Sequence, residues 1–385
     1  MPSSLLLALR YISYHQARTL ILIAALSLTF FLPLASRWTI QRFEQHAMAR
    51  AGSTPLIVAK KGSRFAVAIH ALYFRGEPPQ ELTQAQVKRI EDTDLAQAIP
   101  IFARFRAQDT VIVGTSANYF TYRGLQLERG GPLRRIGDCV LGAAAAARLD
   151  ISPGDRLLSE PENLFDLAGP SPLNMRVTGI LRPTGTADDE TIFCDLKTTW
   201  IMSGIGHGHV TTNVAGASDH QHSAGREYMP QYAEVTDENV NSFHFHGQPD
   251  DYPLTAIIAL PDSARSEALL MGKFLLPDET HQVIRPVEVV RELMQVVSQV
   301  RQWFDVGLML LAIATLLLVS LVLTLSVRLR QKEMRTMFLL GCSRSMIARI
   351  IMTELALVTF LSVTTAVALA ACAARFSDLI FYSLT

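Results

Sequence analysis

The sequence predicts a membrane protein: an α-helical transmembrane bundle of three spans, with a large α+β domain between spans one and two. Three observations carry that prediction. Three uncharged runs, Thr19–Ser36, Val306–Val327 and Leu355–Ala374, are 18, 22 and 20 residues long. At 1.5 Å per residue they measure about 27–33 Å, close to the ~30 Å hydrocarbon core of a bilayer. The mean hydropathy of +0.23, with 18% charged residues, is too high for an ordinary soluble chain and too low for one wholly embedded in lipid. Between the first two runs, short apolar segments alternate with Gly, Pro and Asp, a strand-and-turn pattern. The 385 residues carry 35 basic and 35 acidic side chains, and this zero balance excludes a broadly basic nucleic-acid binder. Four cysteines exclude a disulfide scaffold and a multi-cysteine zinc ribbon.

Residues 1–36 read as an amphipathic lead-in and the first span. The alternative is a cleaved signal peptide. An uncleaved anchor is favoured, because the run starts late, holds Pro33 and passes into Arg37-Trp38 with no Ala-x-Ala exit. Pro33 predicts a kink and Trp38 an interface anchor. Arg37–Ala51 could extend the helix as a stalk, the plainer reading being a short amphipathic segment that packs locally. Residues 286–327 form a stalk and the second span, since Val290, Leu293, Met294, Val297, Val300 and Phe304 make a helical stripe with no breaker before the apolar run. Residues 328–349 are a loop, 350–374 the third span and 375–385 a tail too short to cross a bilayer. Arg10 and Arg18 precede the first span, and Arg328, Arg330, Lys332, Arg335, Arg344 and Arg349 crowd the loop, so both belong in the cytoplasm, and Arg37–Asp305, with its domain at 37–285, and the tail 375–385 outside it.

Within the outside domain, strands are expected at Thr110–Gly114, Cys139–Gly142, Met175–Leu181, Thr191–Asp195 and Thr255–Leu260. Helices are expected at Gln84–Gln97, Ala143–Leu149 and Ser263–Phe274. There is no clear internal repeat.

The chain resembles the MacB/FtsX-like permease subunits of ABC transporters, which include lipoprotein-releasing permeases. The residues that carry the resemblance are spread along the chain. They include Ala8–Leu20, Val111–Phe120, Val140–Gly142 with Ala147–Leu149 and Pro153–Asp155, and Val177–Leu181 with Pro183–Gly185. The most specific stretch is Arg328–Leu355, with Arg328-Leu-Arg-Gln-Lys-Glu-Met334, Leu340-Gly-Cys-Ser343 and Thr353-Glu-Leu355. The resemblance implies a periplasmic MacB-like core over 37–285, with a histidine-rich insertion at 203–253 that it does not cover. It also implies an inner-membrane location, an ABC ATPase dimer as partner, a second permease copy or paralogue, and a periplasmic binding or adaptor protein. Family members usually have four spans per permease, and this chain has three.

No Gly-x-x-x-x-Gly-Lys-Ser/Thr loop is present, so ATP and Mg2+ belong to the partner and the chain itself is expected to be no enzyme. The segment expected to couple to that ATPase contains Arg328, Arg330, Glu333, Met334, Met337, Leu340, Gly341 and Ser343. Its methionines offer an adaptable apolar face. The plainer reading is that its arginines only meet membrane lipid phosphates. The Glu333 pattern favours docking, since topology alone does not need it.

Six of the ten histidines form three His-x-His pairs: His207/His209, His220/His222 and His244/His246. In a strand, residues i and i+2 share a face, so each pair offers two imidazoles to one ion. Neutral imidazoles suit zinc, with copper second. Asp219, Glu227, Glu234, Asp237 and Glu238 are nearby candidate carboxylate ligands. The plainer reading is a polar surface loop. The zinc-protease pattern His-Glu-x-x-His is absent.

Cys139 and Cys194 lie outside, in an oxidising space where they could pair, although strand-like runs more often hold buried thiols. Asp305 and Glu354 sit at opposite ends of spans two and three as polar groups close to the membrane, and Arg349 or Arg335 is a candidate partner for Glu354. The expected function is mechanotransmission by a permease, with zinc as the favoured cargo. The alternatives are export of a lipoprotein or hydrophobic substrate, or a membrane-anchored metal receptor without transport. A membrane-bound enzyme ranks last.

Overall fold

The computed structural model describes residues 10, 12–14, 16–161, 170–208, 233–276, 278–329, 331, 335–336, 339 and 343–384. In chain order, helix α1 (Gln16–Gly52) is followed by β1 (Leu56–Lys60), α2 (Arg64–Tyr73), β2 (Leu82–Thr83), α3 (Ala85–Glu91), β3 (Ala96–Ala107) and β4 (Thr110–Thr115). Next come α4 (Ala117–Arg123), β5 (Leu127–Gly130), β6 (Asp138–Leu141), α5 (Ala143–Leu149), β7 (Arg156–Leu158), β8 (Leu173–Leu181), β9 (Ile192–Asp195) and α6 (Leu196–Met202). The rest are β10 (Gly206–His207), β11 (Ala233–Glu234), β12 (His244–Phe245), β13 (Pro253–Leu254), β14 (Ala256–Pro261), α7 (Ala264–Lys273), β15 (His281–Ile284), α8 (Pro286–Leu329) and α9 (Arg344–Leu384).

The chain divides into two compact units, a head at Ala47–Glu292 and a helical unit made of Met1–His46 and Leu293–Thr385. The head is built on one mixed sheet in the order β11-β8-β6-β9-β4-β3-β14-β1-β15, with β5 and β7 also on β8. Pairings β4/β9, β6/β8 and β8/β11 are parallel and the others antiparallel. The sheet is buried on both faces, so its central strands read as near-continuous apolar runs. One face buries Ala98, Phe102, Ile112, Cys139, Leu141, Ile192, Cys194 and Ile257 under Val87 and Ile90 of α3, Trp200 of α6 and Leu270 of α7. The other buries Ile99, Ile101, Val113, Val140, Phe193 and Ile258 with Phe74 and Tyr119. Burying such side chains stabilises the fold by about 25 cal/mol per Å2 of apolar surface.

Glycine is required where β6 meets α5. A Cβ on Gly142 would lie 2.2 Å from the Asp188 carbonyl oxygen and 2.3 Å from that of Asp189. The 3-10 turn Ala187–Glu190 therefore packs directly on this strand end.

Helices α1, α8 and α9 are 37, 44 and 41 residues long. Each contains a segment long and apolar enough to cross a membrane. Pro33 lies inside α1 without ending it. Leu22 and Leu26 of α1 pack with Val319 of α8 and Val358 of α9. Ser27 Oγ donates to the Ser362 carbonyl at 3.1 Å and shares a hydrogen bond with Thr365 Oγ1, while Thr29 Oγ1 donates to Thr315 Oγ1 at 3.1 Å. Interhelical hydroxyl bonds of this kind hold helices together where lipid offers no competing partner. Leu310, Leu316, Leu317 and Leu321 remain exposed, a surface that a bilayer would cover.

One sequence expectation needs correction, and two features were not foreseen. The helix expected over Gln84–Gln97 stops at Glu91, because the chain turns through Asp94 at φ 53° and enters β3 at Ala96 to pair with β14. The tail expected after 374 is helical through Leu384, continuing α9. Helices α2, α4 and α6 were not expected. Ser63 caps α2 by accepting from the Ala66 amide, and Asp195 caps α6 by accepting from the Lys197 amide, so both carried a start signal in the sequence.

Candidate functional site

The histidine site is built from two very short strands. β10 and β12 pair antiparallel, with Gly206 opposite Phe245 and His207 opposite His244. The His246 amide donates to the Ile205 carbonyl at 2.8 Å, which adds the next rung. Strand alternation then sorts the side chains. Gly206, Gly208, Phe243 and Phe245 fall on one face, and His207, His244 and His246 on the other.

The two glycines let the aromatic rings come close. A Cβ on Gly206 would lie 2.7 Å from the Phe245 ring, and one on Gly208 would lie 2.5 Å from the Phe243 ring. Ile205, Phe243 and Phe245 pack on the main core. Tyr252 stands between Phe245 and Trp200, with ring centroids 6.2 and 4.8 Å away. Trp200 is fixed in turn by its Nε1–H donating to the Pro253 carbonyl at 3.0 Å. The apolar face is thus rooted in the head, and the imidazoles face outward.

The three rings lie with centroids 4.5 Å apart for His207/His244 and 4.8 Å apart for His207/His246 and His244/His246. One ligand nitrogen from each ring falls within 4.8 Å of the others. A tetrahedral zinc with bonds of about 2.0–2.1 Å needs nitrogens about 3.4 Å apart, so a small rotation of the rings would close on the ion. The donor set fits a borderline metal ion: three nitrogens that ligate when neutral, reachable from solvent.

Of the other predicted ligands, His209, His220, His222, Asp219 and Glu227 lie outside the described residues. Glu234 pairs with Arg156, and Asp237 with Arg135. Those two carboxylates are engaged by arginines and do not join the imidazoles. Among the described residues, the structure brings His207 of one pair together with His244 and His246 of another in a cross-strand trio.

A second constellation escaped the sequence reading. Arg50, in the last turn of α1, is 7% exposed. Its guanidinium donates to both Asp188 carboxylate oxygens at 2.7 and 2.9 Å, to Tyr119 Oη at 3.2 Å and to the Leu72 carbonyl at 2.5 Å. Tyr119 Oη donates to Asp188 Oδ1 at 2.7 Å. Burial alone would push the Asp188 carboxyl up, but the Arg50 charge and these hydrogen bonds outweigh it and hold its pKa below the usual carboxylate range. Burial and the Asp188 charge raise the Tyr119 phenol. The neighbouring acids are also held: Asp189 accepts from the Thr184 and Gly185 amides, and Glu190 pairs with Arg148. A signal existed in the sequence, for Ala47, Arg50 and Ala51 place one arginine among small residues on one helix face, and all three are buried.

Of the expected coupling residues, Arg328 is exposed near the end of α8. Ser343 precedes α9 and accepts from the Met346 amide through its hydroxyl at 3.3 Å, an N-cap. Arg330, Glu333, Met334, Met337, Leu340 and Gly341 lie outside the described residues. Asp305 faces Arg301 one turn away at 4.0 Å, and Glu354 is buried at 8% exposure.

The sequence pattern of the MacB-like periplasmic core domain matches residues 27–227, more than half of the chain. Among solved structures, the chain is similar to the periplasmic region of MacB from Actinobacillus actinomycetemcomitans, at 11% identity over 63% of this chain and 94% of that one, with a TM-score of 0.35. It is also similar to the extracellular domain of the noncanonic ABC-type transporter YknZ from Gram-positive bacteria, at 11% identity over 60% and 98% of the two chains, with a TM-score of 0.32. A permease-protein domain from Porphyromonas gingivalis is similar at 14% identity over 60% and 86%, with a TM-score of 0.25. No curated protein is similar enough in sequence to be matched. The chain, which also carries three membrane-length helices, belongs to the MacB-like periplasmic core domain family and is a MacB/FtsX-like ABC transporter permease.

Proposed function

We propose that this chain is the permease subunit through which a separate ABC ATPase in the inner membrane moves a periplasmic head, and that the head handles a divalent metal ion, with zinc as cargo. The observation that carries the coupling is Arg50. It stands in the last turn of the 37-residue helix α1, buried against Asp188 and Tyr119. At 1.5 Å per residue, α1 and α8 are about 55 and 66 Å long, far more than the ~30 Å hydrocarbon core. In this reading α1 passes displacement from the membrane segment to the buried ion pair at its end, and the head moves with no channel through the membrane. The ATPase docks on residues 328–349. Replacing Glu333 by Ala and Leu340-Gly341 by Ala-Pro should abolish stimulation of the partner's ATPase activity in proteoliposomes. Unchanged activity would remove the coupling reading.

Support for the metal reading comes from the cross-strand trio His207, His244 and His246. Three protein ligands leave a fourth position open, which suits capture and release better than a closed structural site. Equilibrium dialysis of the full chain tests it. Changing these three histidines to Ala should remove one zinc per chain, and an unchanged stoichiometry would pass the cargo reading to a lipoprotein or hydrophobic substrate.

A further inference from the structure

The two buried cysteines of the head face each other across a strand pair. β6 and β9 run antiparallel with Cys139 opposite Cys194, Val140 opposite Phe193 and Leu141 opposite Ile192. The Gly142 amide donates to the Thr191 carbonyl at 2.8 Å, making 142/191 a hydrogen-bonded rung. Facing residues in an antiparallel ladder alternate between hydrogen-bonded and non-hydrogen-bonded pairs. Counting back, 140/193 is hydrogen-bonded, and Cys139/Cys194 is a non-hydrogen-bonded pair.

That difference decides the chemistry. Non-hydrogen-bonded pairs bring Cα atoms to about 4.5 Å and the side chains closer together. A disulfide closes over Cα separations of about 4.4–6.8 Å, so this rung is within reach without moving the backbone. The two side chains also leave the sheet on the same side. Both belong to the core cluster that holds Leu141 and Ile192, whereas their chain neighbours Val140 and Phe193 belong to the opposite one. Neither cysteine is exposed to solvent, and in this structure both are free thiols.

We propose that Cys139 and Cys194 are a modification site, oxidised to a cross-strand disulfide as the periplasmic head folds. A sulfur–sulfur bond forms as the two thiols give up two electrons and two protons. A periplasmic dithiol–disulfide oxidoreductase accepts them through a mixed disulfide, and its own disulfide is cleaved to two thiols. The exchange precedes closure of the sheet, because burial raises both thiols well above their ordinary range and the thiolate is the reactive form. Once folded, the bond is shielded from reductants. It ties β6 to β9, and the segment it encloses includes the turn that presents Asp188 to Arg50.

The test reads the native chain and needs no variant. Membranes are quenched in acid, denatured, and treated with a polyethylene-glycol maleimide before and after reduction. Before reduction, Cys342 and Cys372 should take the label while Cys139 and Cys194 stay unlabelled; after reduction all four should label. Digestion without reductant should yield a peptide pair joined through Cys139 and Cys194, lighter by two hydrogens than the separate peptides. In cells lacking the periplasmic oxidoreductase both should label at once. Labelling of Cys139 and Cys194 in unreduced membranes from oxidising cells would overturn the proposal, as would a linkage of either to a different cysteine.

Discussion

The Arg50 guanidinium meets the Asp188 carboxylate through two parallel hydrogen bonds, at 2.7 and 2.9 Å, with both side chains almost wholly buried. The pair joins the last turn of α1 to the turn that packs on the end of β6. Breaking one partner of a buried pair leaves an uncompensated charge and costs about 3–5 kcal/mol, whereas removing both costs less. Arg50→Met alone and Asp188→Asn alone should each destabilise the full chain by about that much, and the double variant by clearly less than their sum. A thermodynamic cycle from denaturant unfolding measures the coupling. Additive effects would mean that the pair does not act as a unit.

Gly142 tests the same contact from the other side. Gly142→Ala places a methyl group against the Asp188 and Asp189 carbonyl oxygens, which are backbone atoms with little freedom to yield. Overpacking of this kind costs about 1–3 kcal/mol. Unfolding of this variant should show that loss, whereas an alanine at solvent-open Gly272, inside helix α7, should instead gain up to about 1 kcal/mol of helix propensity.

His70 gives the head an acid sensitivity. It lies on α2 at 2% exposure, with no hydrogen-bond partner at either ring nitrogen. Burial disfavours its charged form and lowers its pKa from 6.5 to about 4, against a weaker opposite pull from backbone near Ala103 and Arg75. The unfolded chain therefore binds more protons between pH 6.5 and 4. Stability is fullest above pH 6.5 and falls through that window, by on the order of 3 kcal/mol at its lower end. Unfolding measured across this range should flatten in His70→Leu relative to the native chain. Parallel profiles would contradict this account.

Metal binding should depend on the strand pairing as much as on the ligands. Loss of even an outer-shell partner costs metal sites about 10–100-fold in affinity, so loss of one imidazole should cost at least as much. Gly206→Ala keeps every histidine but drives a methyl group into the Phe245 ring. It should weaken zinc binding about as much as His207→Ala does. Affinity should also fall on acidification, because an imidazole ligates only when neutral. Unimpaired binding by Gly206→Ala would detach the site from the β10/β12 pairing.

Much of the head could be read from the sequence, because β4, β8, β9 and β14 are apolar runs bounded by turn residues, as two-sided burial demands. The ends of elements were harder. Asp92-Thr93-Asp94 is only a weak helix stop, and the pairing of β3 with β14, which lies far along the chain, fixes the boundary there. For the histidines, alternation predicted that His244 and His246 share a face, but the meeting with His207 depends on a two-residue register that no periodicity encodes. The Arg50 anchor was hidden for the same reason, since Tyr119 and Asp188 are brought to it by folding alone.

The central claim is that nucleotide binding on the cytoplasmic side reshapes the head. Hydrogen–deuterium exchange on the full permease–ATPase complex in nanodiscs, with and without a non-hydrolysable ATP analogue, tests it most directly. The account predicts altered exchange in head peptides around Arg50 and Ala187–Glu190, and loss of that response when Glu333 is replaced by Ala. Changes confined to the ATPase and residues 328–349, with the head untouched, would contradict it.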